Sequence, residues 1–201
     1  IVSKEMKIAN KDIALIQVQD TLQALQKLAQ KVLLEHPVKV IGITGSIGKT
    51  TTKEFIFELL SRNFIMLKSE WNFNNQLGVP LSLLRLSDKH QVAVLEMAMS
   101  GPGEIAALAR IAPPDIAVIT NINPVHLQFF KSIEEIASAK KEILEGTKKG
   151  GTAVLNGDDS LVKKIAEGWN GKKIFFGLGR ENDIRASKIH RSSWQGISFE
   201  L

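Results

Sequence analysis

The residues best placed to do chemistry stand at 42–52, GITGSIGKTTT. A β-branched run leads into glycines, and the glycines lead into Lys49, Thr50, Thr51 and Thr52. A glycine loop lets backbone N–H groups turn toward an anion, and a following helix adds positive potential at its amino end. On Gly45, Ser46, Ile47, Gly48, Lys49 and Thr50, with Thr51 behind, that chemistry is phosphate binding. Lys49 reaches the outer phosphates of a nucleotide, and Thr50 ligates its magnesium. The general phosphate-loop pattern G-x-x-x-x-G-K-[ST] asks for glycine where this chain has Ile43, so the match is to a shorter loop. Glu96 closes the apolar stretch VAVLE, where a phosphate-loop enzyme holds its metal.

Three further groups are less decisive. His126, in TNINPVHL, is a lone histidine, a type more often structural than ligating, but its place just beyond a strand favours chemistry. The stretch WNFNNQLGVP carries Asn72, Asn74, Asn75 and Gln76, amides that orient polar substrates or simply make a loop. Lys140 and Lys141 fall on a helix beside Glu142, and their spacing alone reads as a solvated charged face.

These groups need elements to position them. Residues 20–35 place Leu22, Leu25, Leu28, Ala29, Val32 and Leu33 on one helical face, capped by Asp20 or Thr21 and ended by His36-Pro37. Strand patterns follow at 38–44, 64–67, 91–97, 115–120, 151–156 and 173–177. Helical patterns alternate with them at 49–61, 76–84, 103–112, 132–146 and 158–168. The helix at 132 opens with a capping box, Ser132 and Glu135. Such alternation predicts an α/β fold, a mostly parallel sheet flanked by helices on both faces. Ligands of such sheets sit at the carboxyl ends of the strands. Lys49, Glu96, Asn121 and His126 all fall at such ends. Past residue 182 short alternating stretches predict an edge hairpin.

Composition narrows the class. The chain has 201 residues, 44% hydrophobic and 23% charged, enough to bury one large core. It has no cysteine, which removes disulfides and thiolate-held zinc. No apolar run is long enough to span a membrane, and the first residues lack a signal-peptide core. The net charge of +5 suits a polyanionic small molecule, but no basic run is interleaved with aromatics and tyrosine is absent, so nucleic acid is not expected as a partner. A guanine-nucleotide switch would carry Asn-Lys-x-Asp after the loop, whereas the sole Asn-Lys pair here is Asn10-Lys11, upstream of it and followed directly by Asp12.

Taken together, the stretches ITGSIGKTTTKE, NFNNQLGVPLSLLRL, VLEMAMSGPGEIAALARIAPPDIAVITNI, HLQFFKSIEEIASAKKEI and VLNGDD resemble the central domain of the Mur ligases. These are ATP-dependent amide-forming enzymes of peptidoglycan synthesis, and the likeness covers about residues 38 to 180. The nearest members add D-alanyl-D-alanine to a UDP-N-acetylmuramoyl tripeptide through an acyl phosphate. A sister ligase adding a single amino acid, or a phosphate-loop domain that only hydrolyses nucleotide, are the alternatives.

The resemblance implies more than spacing shows. Lys49 binds the β- and γ-phosphates of ATP. Thr50 and Glu96 hold one magnesium and His126 helps hold a second. Lys140 matches a family lysine whose carbamate supports that second metal. Asn72, Asn74 and Asn75 line the groove for the UDP-muramoyl peptide, and Asn121 sits near the metals. The chain departs from the family at Trp71, where many members have glycine, at Asn123-Pro124-Val125 and at Lys131. The implied organisation is residues 1–19 as the remnant of a UDP-substrate domain and 20–201 as the central ATP-binding domain, incomplete at its carboxyl end. The dipeptide-binding domain and the adenine-side helix would lie beyond Leu201, and the fragment alone is expected to be inactive. The resemblance further implies a monomeric bacterial cytoplasmic enzyme.

Overall fold

The structure is a computed structural model that describes residues 1–5, 14–125, 128–192 and 196–201. Its frame is a seven-stranded parallel sheet in the order β2-β3-β1-β4-β5-β6-β7. The strands are β1 (Lys39–Thr44), β2 (Met66–Lys68), β3 (Val92–Glu96), β4 (Ile116–Ile119), β5 (Thr152–Asn156), β6 (Lys172–Gly177) and β7 (Ile184–Arg185). A separate antiparallel pair, β8 (Ser187–Ser192) and β9 (Gly196–Glu200), forms the expected hairpin. The helices are α1 (Thr21–Glu35), α2 (Lys49–Leu60), α3 (Gly78–Leu83), α4 (Glu104–Ile111), α5 (Ile133–Glu145) and α6 (Ser160–Ala166).

Local chemistry explains the boundaries. Asp20, not Thr21, caps α1, accepting from the N–H groups of Leu22 and Gln23. His36 before Pro37 is extended and stops the helix. Ser132 caps α5 through Glu135 N–H at 3.3 Å, while the Glu135 carboxylate reaches back one residue further than a standard capping box, to Lys131 N–H. Phe64 and Ile65, expected in a strand, precede β2 and are exposed, and the strand runs instead to Lys68. It pairs with β3 through Met66–Lys68, so tertiary pairing rather than hydrophobicity set its ends.

The sheet's two faces are covered unequally. Val40, Leu95 and Ala117 lie in one cluster with residues of α1, α3, α4, α5 and α6. Ile41, Ile43, Val94 and Val118 lie in a second cluster, which meets Ile56, Phe57 and Leu60 of α2. Among the described residues α2 alone covers that face, so the expectation of helices on both faces holds, five against one. An apolar hollow of about 420 Å³ opens beside α2, lined by residues including Ile56, Ile116, Val154 and Phe176.

Register positions the site. Ile43 lies opposite Glu96 on one side of β1, and Thr44 opposite Ile119 on the other. The carboxyl ends of β1, β3 and β4 therefore finish level. The order also reverses at β1, the topological point where open α/β sheets bind ligands.

Candidate functional site

The loop between β1 and α2 is shaped by its glycines. Gly48, the residue before α2, has φ +85°, a left-handed conformation that glycine takes without strain. At Gly45 a Cβ would stand 1.8 Å from Thr120 Oγ1, so the neighbouring strand end occupies the space a side chain would need. Lys49 folds over the loop, its Nζ donating to the carbonyls of Gly45 at 2.9 Å and Ser46 at 3.2 Å. Burial lowers the Lys49 pKa, and the Glu96 charge opposes that shift.

The segment after β4 braces this loop closely. Asn121 Oδ1 accepts from Ile47 N–H at 2.9 Å, and its Nδ2 donates to Ile47 C=O at 2.9 Å. Thr120 Oγ1 donates to the same carbonyl at 2.7 Å. Ser46 N–H donates to Asn121 C=O, and Ser46 Oγ exchanges hydrogen bonds with the backbone of Asn123. Both ends of the Asn121 amide are thus engaged with the phosphate loop, which makes it a brace for that loop in this structure.

At the end of β3, Glu96 is 2% exposed and both its oxygens are engaged. Oε2 accepts from Thr50 Oγ1 at 2.8 Å, and Oε1 from Asn74 Nδ2 at 3.0 Å. Its backbone N–H donates to Ser69 Oγ at 3.1 Å. Beneath lies Lys53, 1% exposed, donating to Ser69 C=O at 2.8 Å and paired with Glu54 at 3.3 Å. Among the described residues no three His, Cys, Asp or Glu side chains gather into a metal cluster. His126 lies outside the described residues. The adjacent Thr50 hydroxyl and Glu96 carboxylate are hard oxygen donors, the set magnesium takes when phosphate and water complete its shell.

Lys140 is not on a solvated face. It is 2% exposed, and burial together with the nearby Lys49 charge lowers its pKa to about 7. Its neighbours separate. Lys141 pairs with Glu145 at 3.4 Å on the partly exposed side. Glu142 accepts from the N–H groups of Gly103 and Ala106, capping α4 from α5. That cap fixes α5 against α4.

The amide segment divides in the same way. Asn74 touches Glu96, and its C=O accepts from Ala98 N–H at 2.8 Å. Asn75 Oδ1 accepts from Leu77 and Gly78 N–H and so opens α3. Asn75 also lines a cavity of about 360 Å³ with Gln76, Ser100 and Glu104. Asn72 lines another, of about 440 Å³, with Thr50, Lys53 and Trp71. Trp71 is 83% exposed at φ +46°, a left-handed conformation that glycine takes far more readily than a tryptophan.

Sequence reasoning missed Lys53, Ser69, Thr120 and Asn123, which touch the site residues. Lys53 stood within TTTKE, three residues after Thr50, where helical spacing could have signalled it. Ser69 and Asn123 carried no such signal, since each meets its partners through contacts that include its own backbone, which any residue type supplies.

Residues 43–201 match the Mur ligase middle domain. The UDP-N-acetylmuramoyl-tripeptide–D-alanyl-D-alanine ligase of Bacillus subtilis is 43% identical over 188 residues, 94% of this chain and 40% of that protein. The crystal structure of MurF from Acinetobacter baumannii superposes with a TM-score of 0.85 at 35% identity, over 96% of this chain and 45% of the other. The MurF ligase of Thermotoga maritima in complex with ADP gives 0.84 at 33% identity, over 97% of this chain and 47% of the other. The chain spans under half the length of these relatives. By its matched domain and its fold, the chain belongs to the Mur ligase family.

Proposed function

We propose that this chain is the ATP-handling part of a ligase that joins D-alanyl-D-alanine to a UDP-N-acetylmuramoyl tripeptide in the bacterial cytoplasm. The observation that carries the reading is the meeting of Thr50, Glu96 and Asn74 on one carboxylate. It joins a phosphate loop to the amide segment at the strand ends, where the two substrates must react. The likeness to D-alanyl-D-alanine-adding ligases supplies the substrate class.

The chain's residues divide the work. Backbone N–H groups of the loop and the amino end of α2 would face the phosphates. Lys49 would set its charge against the β- and γ-phosphates, where negative charge builds during transfer. Thr50 and Glu96 would hold magnesium, which when bound neutralises phosphate charge. Asn72 and Asn74 would orient the peptide. An oxygen of the peptide carboxylate attacks the γ-phosphorus, and the bond to the β–γ bridging oxygen breaks, releasing ADP. The dipeptide amine then attacks the acyl carbon of the acyl phosphate, losing a proton as phosphate leaves. Lys140, with its pKa near 7, is available as a neutral amine, the form that takes up carbon dioxide to give a carbamate. That carbamate, with His126, would serve a second metal.

The test uses the full-length protein that contains this chain. Phosphate release from Mg-ATP should require both UDP-muramoyl tripeptide and D-alanyl-D-alanine. Release that ignores both would mean a plain hydrolase, and release with a shorter precursor and a single amino acid would mean a sister ligase. Lys49→Ala should cut turnover about 10²–10³-fold, the usual loss for one such electrostatic contact. A variant retaining more than about a tenth of the rate would overturn the loop's role.

A further inference from the structure

The VLNGDD stretch resembles the family, but no chemistry in the site uses it directly. Its last residue, Asp159, has two separate duties. Oδ1 caps α6, accepting from Leu161 N–H at 2.9 Å and Val162 N–H at 3.1 Å. Oδ2 accepts from Ile122 N–H at 2.7 Å, across 37 residues of sequence. Ile122 lies between Asn121 and Asn123, the two residues whose contacts hold Ser46 and Ile47. Its side chain is 4% exposed, so the peptide is anchored from the core as well. Asn156, three residues earlier, adds a second tie, its Nδ2 donating to Thr120 C=O at 2.9 Å.

We propose that Asp159 is a positioning residue for the phosphate loop: its Oδ2 tethers the segment after β4, and that segment in turn holds Ser46 and Ile47 in shape to receive phosphates. A carboxylate suits the task because it accepts at both oxygens at once. A charge-assisted hydrogen bond also resists opening better than a neutral one. The contacts of the Asp159 carboxylate are the N–H groups of Ile122, Leu161 and Val162, so it acts on the loop through the segment that holds Ile122. The proposal rests on the reading of this edge as the nucleotide site.

Two variants separate the duties. Asp159→Ser keeps an oxygen that caps a helix start but is too short to reach Ile122. Asp159→Asn keeps the shape, yet one of its two oxygens becomes an NH₂, so either the cap or the tether loses its acceptor. Amide hydrogen exchange on the full-length protein reads the tether without any ligand. In Asp159→Ser the N–H groups of Ile122, Ser46 and Ile47 should exchange about tenfold faster, while those of Ile41 and Val94 in the central strands keep their rates. The Leu161 and Val162 N–H groups should stay protected, which shows that the cap survives. Equal exchange at Ile122, Ser46 and Ile47 in parent and variant would overturn the tether. A uniform rise across the central strands would do the same, since it would make Asp159 a general stability residue.

The consequence for binding is read in the full-length protein. Asp159→Ser should raise KM for Mg-ATP about tenfold, with kcat and the KM for the UDP-peptide within about twofold of the parent. A merely structural role would lower the active fraction and leave KM for ATP unchanged, and that outcome would overturn the proposal. A parent protein that does not use ATP would instead refute the reading of the site, leaving the exchange result to stand by itself.

Discussion

Replacing Lys140 with methionine should make the protein more stable, and by an amount that depends on pH. Lys140 is buried on α5, and its pKa falls from the ordinary 10.5 to about 7 through burial first and the charge of Lys49 second. A pKa unit corresponds to about 1.4 kcal/mol between the two protonation states, so the charged form bears a penalty on the order of 4–5 kcal/mol. The sign follows from proton counting. Below pH 7 both folded and unfolded chains hold the proton, and the penalty is present in full. Between about 7 and the unfolded value the unfolded chain binds more protons, so stability rises with pH by about 1.4 kcal/mol per unit. Methionine is unbranched, apolar and adaptable, and it carries no charge to desolvate. Lys140→Met should therefore exceed the parent by several kcal/mol at pH 6, and the gap should narrow by about 2 kcal/mol between pH 7 and 9. Urea unfolding of both proteins across this range, in buffers stripped of carbon dioxide, measures the difference directly. Lys49 is present in both proteins, and its charge enters the comparison through its repulsion of Lys140. Parallel stability curves would refute the reasoning, because they would mean that Lys140 keeps its ordinary proton in the folded state. Under the proposed function, the same substitution in the full-length protein should abolish ligation, so that the stabilised variant is the inactive one.

Two other perturbations test the loop that carries the amides. Trp71→Gly should raise stability by about 0.5–1 kcal/mol, since relief of a left-handed backbone outweighs the chain entropy of glycine and little buried surface is lost. A thermal melt should move up by a few degrees, and a fall would show that the indole packs on something essential. Gly78→Ala should cost about 1–3 kcal/mol, because its Cβ would stand 2.4 Å from Phe73 Cα and 2.6 Å from Phe73 C, backbone atoms that cannot step aside. Gly168→Ala, with nothing within 4 Å of the new Cβ, is the control and should leave the melt unchanged or slightly raised; equal losses at both positions would refute the steric account.

The alternation of apolar strands with amphipathic helices was legible before any coordinates, because period and breaker residues are local properties. So was the phosphate loop, since its glycines, lysine and threonine are adjacent in sequence. Capping residues such as Asp20 and Ser132 were legible for the same reason. The helix-face lysines were not. Spacing made Lys140 and Lys141 alike, yet one is buried near Lys49 and the other pairs with Glu145 in the open. The difference is which side of α5 meets the sheet, and no local pattern of charges encodes that.

The amides show the same division. Topology placed Asn121 just beyond a strand, whereas Asn72, Asn74 and Asn75 read as loop amides that only the family resemblance set toward a substrate groove. Only the tertiary structure assigned their tasks, one on Glu96, one at the start of α3, one on the backbone of Ile47. An amide can donate and accept, so its role is set by whichever partner lies within about 3 Å. For Asp159 and Ile122 that partner lies 37 residues away. The sequence by itself determined the class of fold and the presence of a phosphate loop, because both are written in neighbouring residues. The tertiary structure decided which charges are buried and which polar groups hold the loop, because strand register and helix packing bring distant residues to one edge.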